Sequence, residues 1–124
     1  HGCAMPVQHQ MASIQAWNDE DHVRANRDLY REKFKAVIEI LSPVLEVKQP
    51  DAGFYLWLKT PVSDEQFARD LFDQQHVTVL PGSYLSREVE GRNPGEGHVR
   101  MALVATPEEC IEAAQRIRAY AETL

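Results

Sequence analysis

His98-Val99-Arg100-Met101-Ala102-Leu103-Val104-Ala105 runs directly into Thr106-Pro107-Glu108-Glu109, and the spacing of the apolar residues changes between the two. In the first stretch Val99, Met101 and Leu103 share one face, the period-2 pattern of a strand over residues 98–105 with one side buried. In the second, Thr106 and Glu109 have capping-box spacing, and Pro107 takes the first helical position, where a missing N–H costs nothing. Ile111, Ala114, Ile117, Arg118 and Ala121 then carry a helix towards the end of the chain. A one-sided strand leading into an amphipathic helix calls for helices packed on a small sheet.

Working upstream, Ser86 to Gly97 is a polar, glycine-containing connection, long for a compact domain, and such loops often carry function. Before it, Val77 to Leu80 reads as a short buried strand stopped by Pro81-Gly82. Ser63-Asp64-Glu65-Gln66 forms a second capping box, opening a helix to about Gln75 with Phe67, Leu71 and Phe72 on its apolar face. Val44 to Lys48 and Phe54 to Lys59 are rich in branched and aromatic residues and flank the turn Pro50-Asp51-Ala52-Gly53, so they are expected as neighbouring strands. Val23, Tyr30, Phe34, Val37, Ile38 and Leu41 hold helical spacing from a cap among Asn18 to Asp21 until Ser42-Pro43. Pro6, Val7, Met11 and Ile14 predict a first helix over residues 6–17. The order ααββαββα describes one α+β domain over residues 1–124, a sheet of about four strands covered by helices, with no internal repeat.

The 124 residues carry a net charge of -6 and no basic run, which argues against nucleic acid as a partner, because displacing its counterions takes clustered Lys and Arg. Cys3 and Cys110 lie far apart in sequence, which signals neither a disulfide framework nor a zinc site and fits a reducing cytoplasm. No apolar stretch approaches the roughly 20 residues that span a bilayer, so no membrane partner is expected. The start, His1-Gly2-Cys3, has no initiator Met and enters a helical pattern almost at once, as a fragment or a purification scar would.

Among residues suited to chemistry, Arg100 alternates with Val99 and Met101 and so points away from the apolar face. A guanidinium grips a carboxylate through two parallel hydrogen bonds, and a strand holds it more firmly than a loop. Spacing alone also fits a surface arginine in a routine ion pair. Arg87 and Arg92 flank the glycine-bearing loop and are candidates to meet an acidic substrate, or simply exposed loop residues. Pro81-Gly82-Ser83 is suited to bringing backbone close to a ligand, or to a plain turn. His1, His9, His22, His76 and His98 are scattered without metal-ligand spacing, so no metal is expected. Neither a nucleophile elbow nor a phosphate-cradling glycine run is present. Trp17, Trp57, Tyr30 and Tyr55 read as packing residues.

Ala52-Gly53-Phe54-Tyr55-Leu56-Trp57-Leu58, Val77-Thr78-Val79-Leu80-Pro81-Gly82-Ser83 and His98-Val99-Arg100-Met101-Ala102-Leu103, in this order and spacing, resemble the C-terminal small domain of fold-type I, class I/II aminotransferases. The resemblance covers essentially the whole chain, including Asn26-Arg27-Asp28-Leu29-Tyr30. It implies that Arg100 binds the substrate's α-carboxylate. A narrower resemblance, in Leu80 to Arg87, Gly91 to Ala105 and Gly2 to Pro6 with Gln10, Ala12, Ser13 and Trp17, is to the bacterial N-succinyldiaminopimelate aminotransferases of lysine biosynthesis.

That likeness implies a cofactor, pyridoxal 5'-phosphate, held in a separate large domain together with the Schiff-base lysine, and a homodimeric complete enzyme. It implies ping-pong transfer of an amino group from glutamate to N-succinyl-2-amino-6-oxopimelate. None of Lys33, Lys35, Lys48 and Lys59 stands in the context of the cofactor lysine, so this chain alone is expected to hold no catalytic or cofactor-binding residue and to be inactive. Another class I/II aminotransferase, against which Asn93-Pro94-Gly95 argues, and a free-standing small-molecule-binding module are the alternatives.

Overall fold

A computed structural model describes residues 3–124; His1 and Gly2, the latter the first residue of the narrower resemblance, lie outside the described residues. The elements are α1 (Val7–Asn18), α2 (Glu20–Leu41), β1 (Tyr55–Lys59), α3 (Asp64–Gln75), β2 (Leu80–Pro81), α4 (Gly82–Leu85), β3 (His98–Ala102) and α5 (Pro107–Ala121). The class is α+β, as the pattern predicts.

Local chemistry accounts for the helix ends. Asp19 separates α1 from α2 and accepts from the N–H groups of Asp21 and His22 at 3.1 and 3.4 Å. Ser63 accepts from Gln66 N–H at 3.2 Å and starts α3. The Thr106–Glu109 box closes in both directions, at 3.0 and 3.3 Å, with Pro107 as the first residue of α5. α3 ends where His76 takes a left-handed conformation, φ 56°.

The sheet has three antiparallel strands in the order β1-β3-β2 rather than about four. Val44–Lys48, expected as a strand beside Phe54–Lys59, forms none. Val44 and Leu45 N–H turn back to Leu41 C=O, and only Glu46 C=O takes a rung, from Lys59 N–H at 3.2 Å. Pro43 and Pro50 bracket this stretch and cannot donate to a ladder. The neighbour of β1 is instead the remote β3. The strand expected over Val77–Leu80 shrinks to Leu80–Pro81, and the tight turn α4 follows it. β3 ends at Ala102, although Leu103 N–H still reaches Phe54 C=O at 2.8 Å.

Helices α2, α3 and α5 cover one face of the sheet. Leu56 and Leu58 of β1, Val99 and Met101 of β3, and Leu103 meet Val37 and Leu41 of α2, Phe67 and Leu71 of α3, and Ala114, Ile117 and Tyr120 of α5 in one core. Each large apolar side chain buried there contributes about 1.5–3 kcal/mol relative to exposure. Phe72, expected on the inward face of α3, is exposed. α1 buries nothing: Val7, Met11, Ile14 and Trp17 all face outward.

Candidate functional site

The alternation that buries Val99 and Met101 sends His98, Arg100 and Ala102 to the opposite face of β3, while Tyr55, Trp57 and Lys59 do the same on β1. Register sets Trp57 opposite Arg100, Lys59 opposite His98 and Tyr55 opposite Ala102, with Leu80 flanking Arg100 from β2. The helices leave this face uncovered. Trp57, Tyr55 and Leu80 are 37%, 39% and 40% exposed, as no core residue is.

On that face each cation-capable residue of β3 lies against an aromatic ring of β1, one step along the strand. The Arg100 guanidinium carbon is 5.6 Å from the Tyr55 ring centroid. The His98 imidazole stacks on the Trp57 indole, with centroids 5.7 Å apart and planes 14° from parallel. His98 Nδ1 donates to Glu96 C=O at 2.9 Å, which leaves Nε2 as the remaining polar atom of the ring.

Arg100 is the residue the sequence singles out, and the structure separates its two readings. Arg31 and Arg116 pair with Asp28 and Glu112 on their own helices, and Arg118 pairs with Glu122, the residue that follows α5. Arg100 pairs with no carboxylate of the described residues, and its Nε is buried without a hydrogen-bond partner. A buried donor left unmade costs about 1–3 kcal/mol. A half-buried guanidinium fixed at a ring on the central strand, with its bonding capacity uncommitted, is suited to a carboxylate supplied from outside.

The connection beside Arg100 is ordered by its own bonds. Asp64, at the start of α3, is buried and accepts from Ser83 N–H at 2.8 Å and Gly97 N–H at 3.3 Å, tying both ends of the connection to the helix. Burial works against its ionisation, but the donors of Ser83 and Gly97 outweigh that and hold its carboxyl below the ordinary carboxylate range. Asn93 donates to Ser83 C=O at 3.0 Å, accepts from Gly95 N–H at 3.0 Å, and meets Ser86 Oγ. Local spacing marks Asp64 only as part of a capping box, because its partners lie 19 and 33 positions away, and it gives Asn93 no structural role, because the bonds to Ser83 and Ser86 form only once the connection folds back on α4.

Pro81-Gly82-Ser83 does bring backbones together, but the partner is the protein itself: Gly82 packs against Gly95, and Ser83 N–H goes to Asp64. Arg87 and Arg92 are exposed on the connection and joined to Arg100 by no hydrogen bond or ion pair among the described residues. Arg92 closes a tight turn with Val89, whose central residues Glu90 and Gly91 have φ of 52° and 76°. Positive φ at both is the signature of a hairpin turn of type I′.

The lysines have other roles. Lys33 is buried, donates to Leu103 C=O at 3.1 Å and lies 4.8 Å from the Tyr30 ring centroid, while Lys59 pairs with Glu46 at 3.0 Å. Lys35 and Lys48 are exposed. Cys110 is buried, its thiol pushed up by desolvation, and Cys3 is exposed. Among the described residues no group of three or more His, Cys, Asp or Glu side chains is placed to hold a metal ion. None of the described helices is long and apolar enough to cross a membrane.

The family profile for aminotransferase class I and II matches residues 1–117. An LL-diaminopimelate aminotransferase from Aquifex aeolicus is 35% identical over 113 residues, 88% of this chain and 28% of the relative. Among solved structures, an aminotransferase from Neisseria meningitidis aligns with a TM-score of 0.92 at 53% identity, over 97% of this chain and 31% of that one. A probable N-succinyldiaminopimelate aminotransferase from Thermus thermophilus aligns with a TM-score of 0.69 at 37% identity, over 82% and 26% of the two chains. The chain thus spans less than a third of the length of each of these relatives.

Proposed function

Because the chain belongs to the class I and II aminotransferases, we propose that it is the small, substrate-positioning domain of a pyridoxal-phosphate-dependent transaminase, and that Arg100 binds the α-carboxylate of each substrate. The observation that carries this is the uncommitted guanidinium: Arg100, on the central strand, is fixed at Tyr55 of β1, and its buried Nε lacks a partner among the described residues. Amino donor and acceptor both bear an α-carboxylate, so one clamp serves both half-reactions and orients the reacting carbon of each.

The residues present do not fit the cofactor itself. Lys33 is buried against Tyr30 and Leu103, Lys59 is engaged by Glu46, and Lys35 and Lys48 stand exposed, so none is a free amine in the enclosed site that a covalently bound aldehyde needs. In this proposal a larger domain supplies the cofactor, its lysine and its phosphate contacts, and the complete enzyme is a cytoplasmic homodimer. This chain contributes binding, orientation and one wall of the cleft, while Arg87 and Arg92 are secondary candidates for meeting an acidic substrate.

For the substrate we propose N-succinyl-2-amino-6-oxopimelate with glutamate as donor. Support comes from the likeness to a probable N-succinyldiaminopimelate aminotransferase and from the Asn93-Pro94-Gly95 connection. The likeness to an LL-diaminopimelate aminotransferase favours the unsuccinylated compound as the second reading. Profiling the polypeptide encoded by the complete reading frame with both acceptors, and with oxaloacetate, separates them. Preference for the succinylated acid supports the first reading, preference for the unsuccinylated one supports the second, and activity confined to oxaloacetate overturns both. A reading frame without a large cofactor-binding domain overturns the transaminase assignment as a whole.

A further inference from the structure

We propose that the uncovered sheet face carries a second anion-binding position beside Arg100, built from Lys48 and Lys59 next to the His98–Trp57 stack, which selects dicarboxylic over monocarboxylic substrates. This rests on the assignment of Arg100 to the α-carboxylate and specifies the substrate class of that site.

The geometry is set by the strands. Arg100 and His98 lie two residues apart on the same face of β3, a separation of about 6.5–7 Å along a strand. Lys59 stands directly opposite His98 in the antiparallel register. Beyond His98 opens a groove of about 330 Å³ whose lining includes Lys48, Lys59, His98 and Trp57. Glu46 also lines it and pairs with Lys59 at 3.0 Å. Two lysines against one carboxylate leave the groove positive before His98 is counted, in a chain whose net charge is -6.

The groove is ordered on its aromatic side. Trp57 is stacked on His98, and His98 Nδ1 donates to Glu96 C=O, so in the neutral ring Nε2 is an acceptor; the attraction for a carboxylate comes from Lys48 and Lys59, and His98 adds to it only as imidazolium. A flexible diacid with one carboxylate on the Arg100 fork, which lies at Tyr55, spans into this groove past Tyr55 and Trp57, which both line it. An acid with one carboxylate reaches only Arg100 and gains nothing from the lysines. The second contact is a point-charge attraction in a half-exposed groove, weaker than the Arg100 fork.

The test titrates the 124-residue chain with pimelate and with heptanoate, which match in length and differ in the second carboxylate, while NMR follows Arg100 Nε–H and the His98 ring. Pimelate is expected to shift both groups and to bind about tenfold more tightly than heptanoate. Lys48→Met combined with Lys59→Met should reduce pimelate to the heptanoate level, with melting checked alongside. Equal affinity for the two acids, both shifting Arg100, overturns the second position and leaves the Arg100 assignment standing. Loss of the preference in Arg87→Gln/Arg92→Gln but not in the double lysine variant also overturns it, in favour of the loop arginines. If pimelate shifts His98 and not Arg100, the assignment of Arg100 falls and the two-point site falls with it.

Discussion

Gly82 and Gly95 face each other backbone to backbone, so closely that a Cβ on either would collide with the carbonyl oxygen of the other. On the Gly82 side the same Cβ would also come within 2.8 Å of His98 C=O and 2.9 Å of the Trp57 ring. The end of β2, the 86–97 connection and the start of β3 therefore meet at a point with no room for a side chain. The connection is held there, beside Arg100, by Asp64 and Asn93.

Gly95→Ala is expected to cost about 3 kcal/mol, the upper range for forcing extra volume into a packed site, because the Gly82 backbone it would strike cannot give way, even if the Ser86 side chain can. Gly91→Ala should cost only about 1 kcal/mol, since φ is 76° there but nothing lies within reach of a Cβ. Urea unfolding of the two variants compares crowding with backbone strain. Equal costs would show that the close approach is not maintained in solution.

Asp64 gives a pH-dependent stability of known sign. Its folded-state carboxyl lies below the ordinary range, so it binds protons more weakly folded than unfolded. Its contribution is complete above the unfolded value of about 3.9 and is lost as pH falls through the folded one. Asp64→Ala should cost about 1–3 kcal/mol at pH 7, leaving the N–H groups of Ser83 and Gly97 without their acceptor. It should also flatten the acid side of the stability curve below about pH 4, relative to the parent. Parallel curves for the two proteins, measured by denaturation from pH 7 to pH 3, would contradict this.

The apolar stripe of α1 has no cover among the described residues: Val7, Met11, Ile14 and Trp17 are exposed. The chain is accordingly expected to self-associate as concentration rises, and Met11→Glu to reduce this without shifting the melting temperature. Light scattering across a concentration series checks it. A monomer at every concentration, unaffected by the substitution, would argue against an adhesive stripe.

Mixed with pyridoxal phosphate and reduced with borohydride, the chain should carry no stoichiometric adduct on Lys33, Lys35, Lys48 or Lys59 by mass spectrometry. Lys33 is the decisive position, since its ammonium is buried and already bonded to Leu103 C=O. A full adduct at any one lysine would overturn the assignment of the cofactor to a separate domain.

In the transaminase proposed above, Arg100→Ala should lower kcat/KM for the amino donor and the keto acid alike, by about 3–5 kcal/mol or roughly two to four orders of magnitude. Arg100→Lys should recover only part, because an ammonium cannot reproduce the fork. The melting temperature should change little, as the side chain lies outside the core. A variant that melts like the parent and keeps near-normal kcat/KM for both substrates would make Arg100 a surface residue.

What the sequence by itself determined are the features written in local spacing. Asp19, Ser63 and Thr106 satisfy N–H groups two or three residues away, so the starts of α2, α3 and α5 need no tertiary information. Alternation along residues 98–103 likewise separates buried Val99, Met101 and Leu103 from outward Arg100. The class I/II motifs added the expectation of a carboxylate at that arginine. Tertiary structure alone decided which strands pair. Val44–Lys48 has a strand's composition, yet on its edge of β1 it makes only the Glu46–Lys59 rung, while the other edge of β1 pairs in full register with the remote β3. It also decided that Asp64 anchors a distant loop and Asn93 braces that loop from within, that Gly82 and Gly95 touch, and that Trp57 and Tyr55 support His98 and Arg100. These contacts depend on where separate segments meet in space, and residue spacing along one segment carries no record of that.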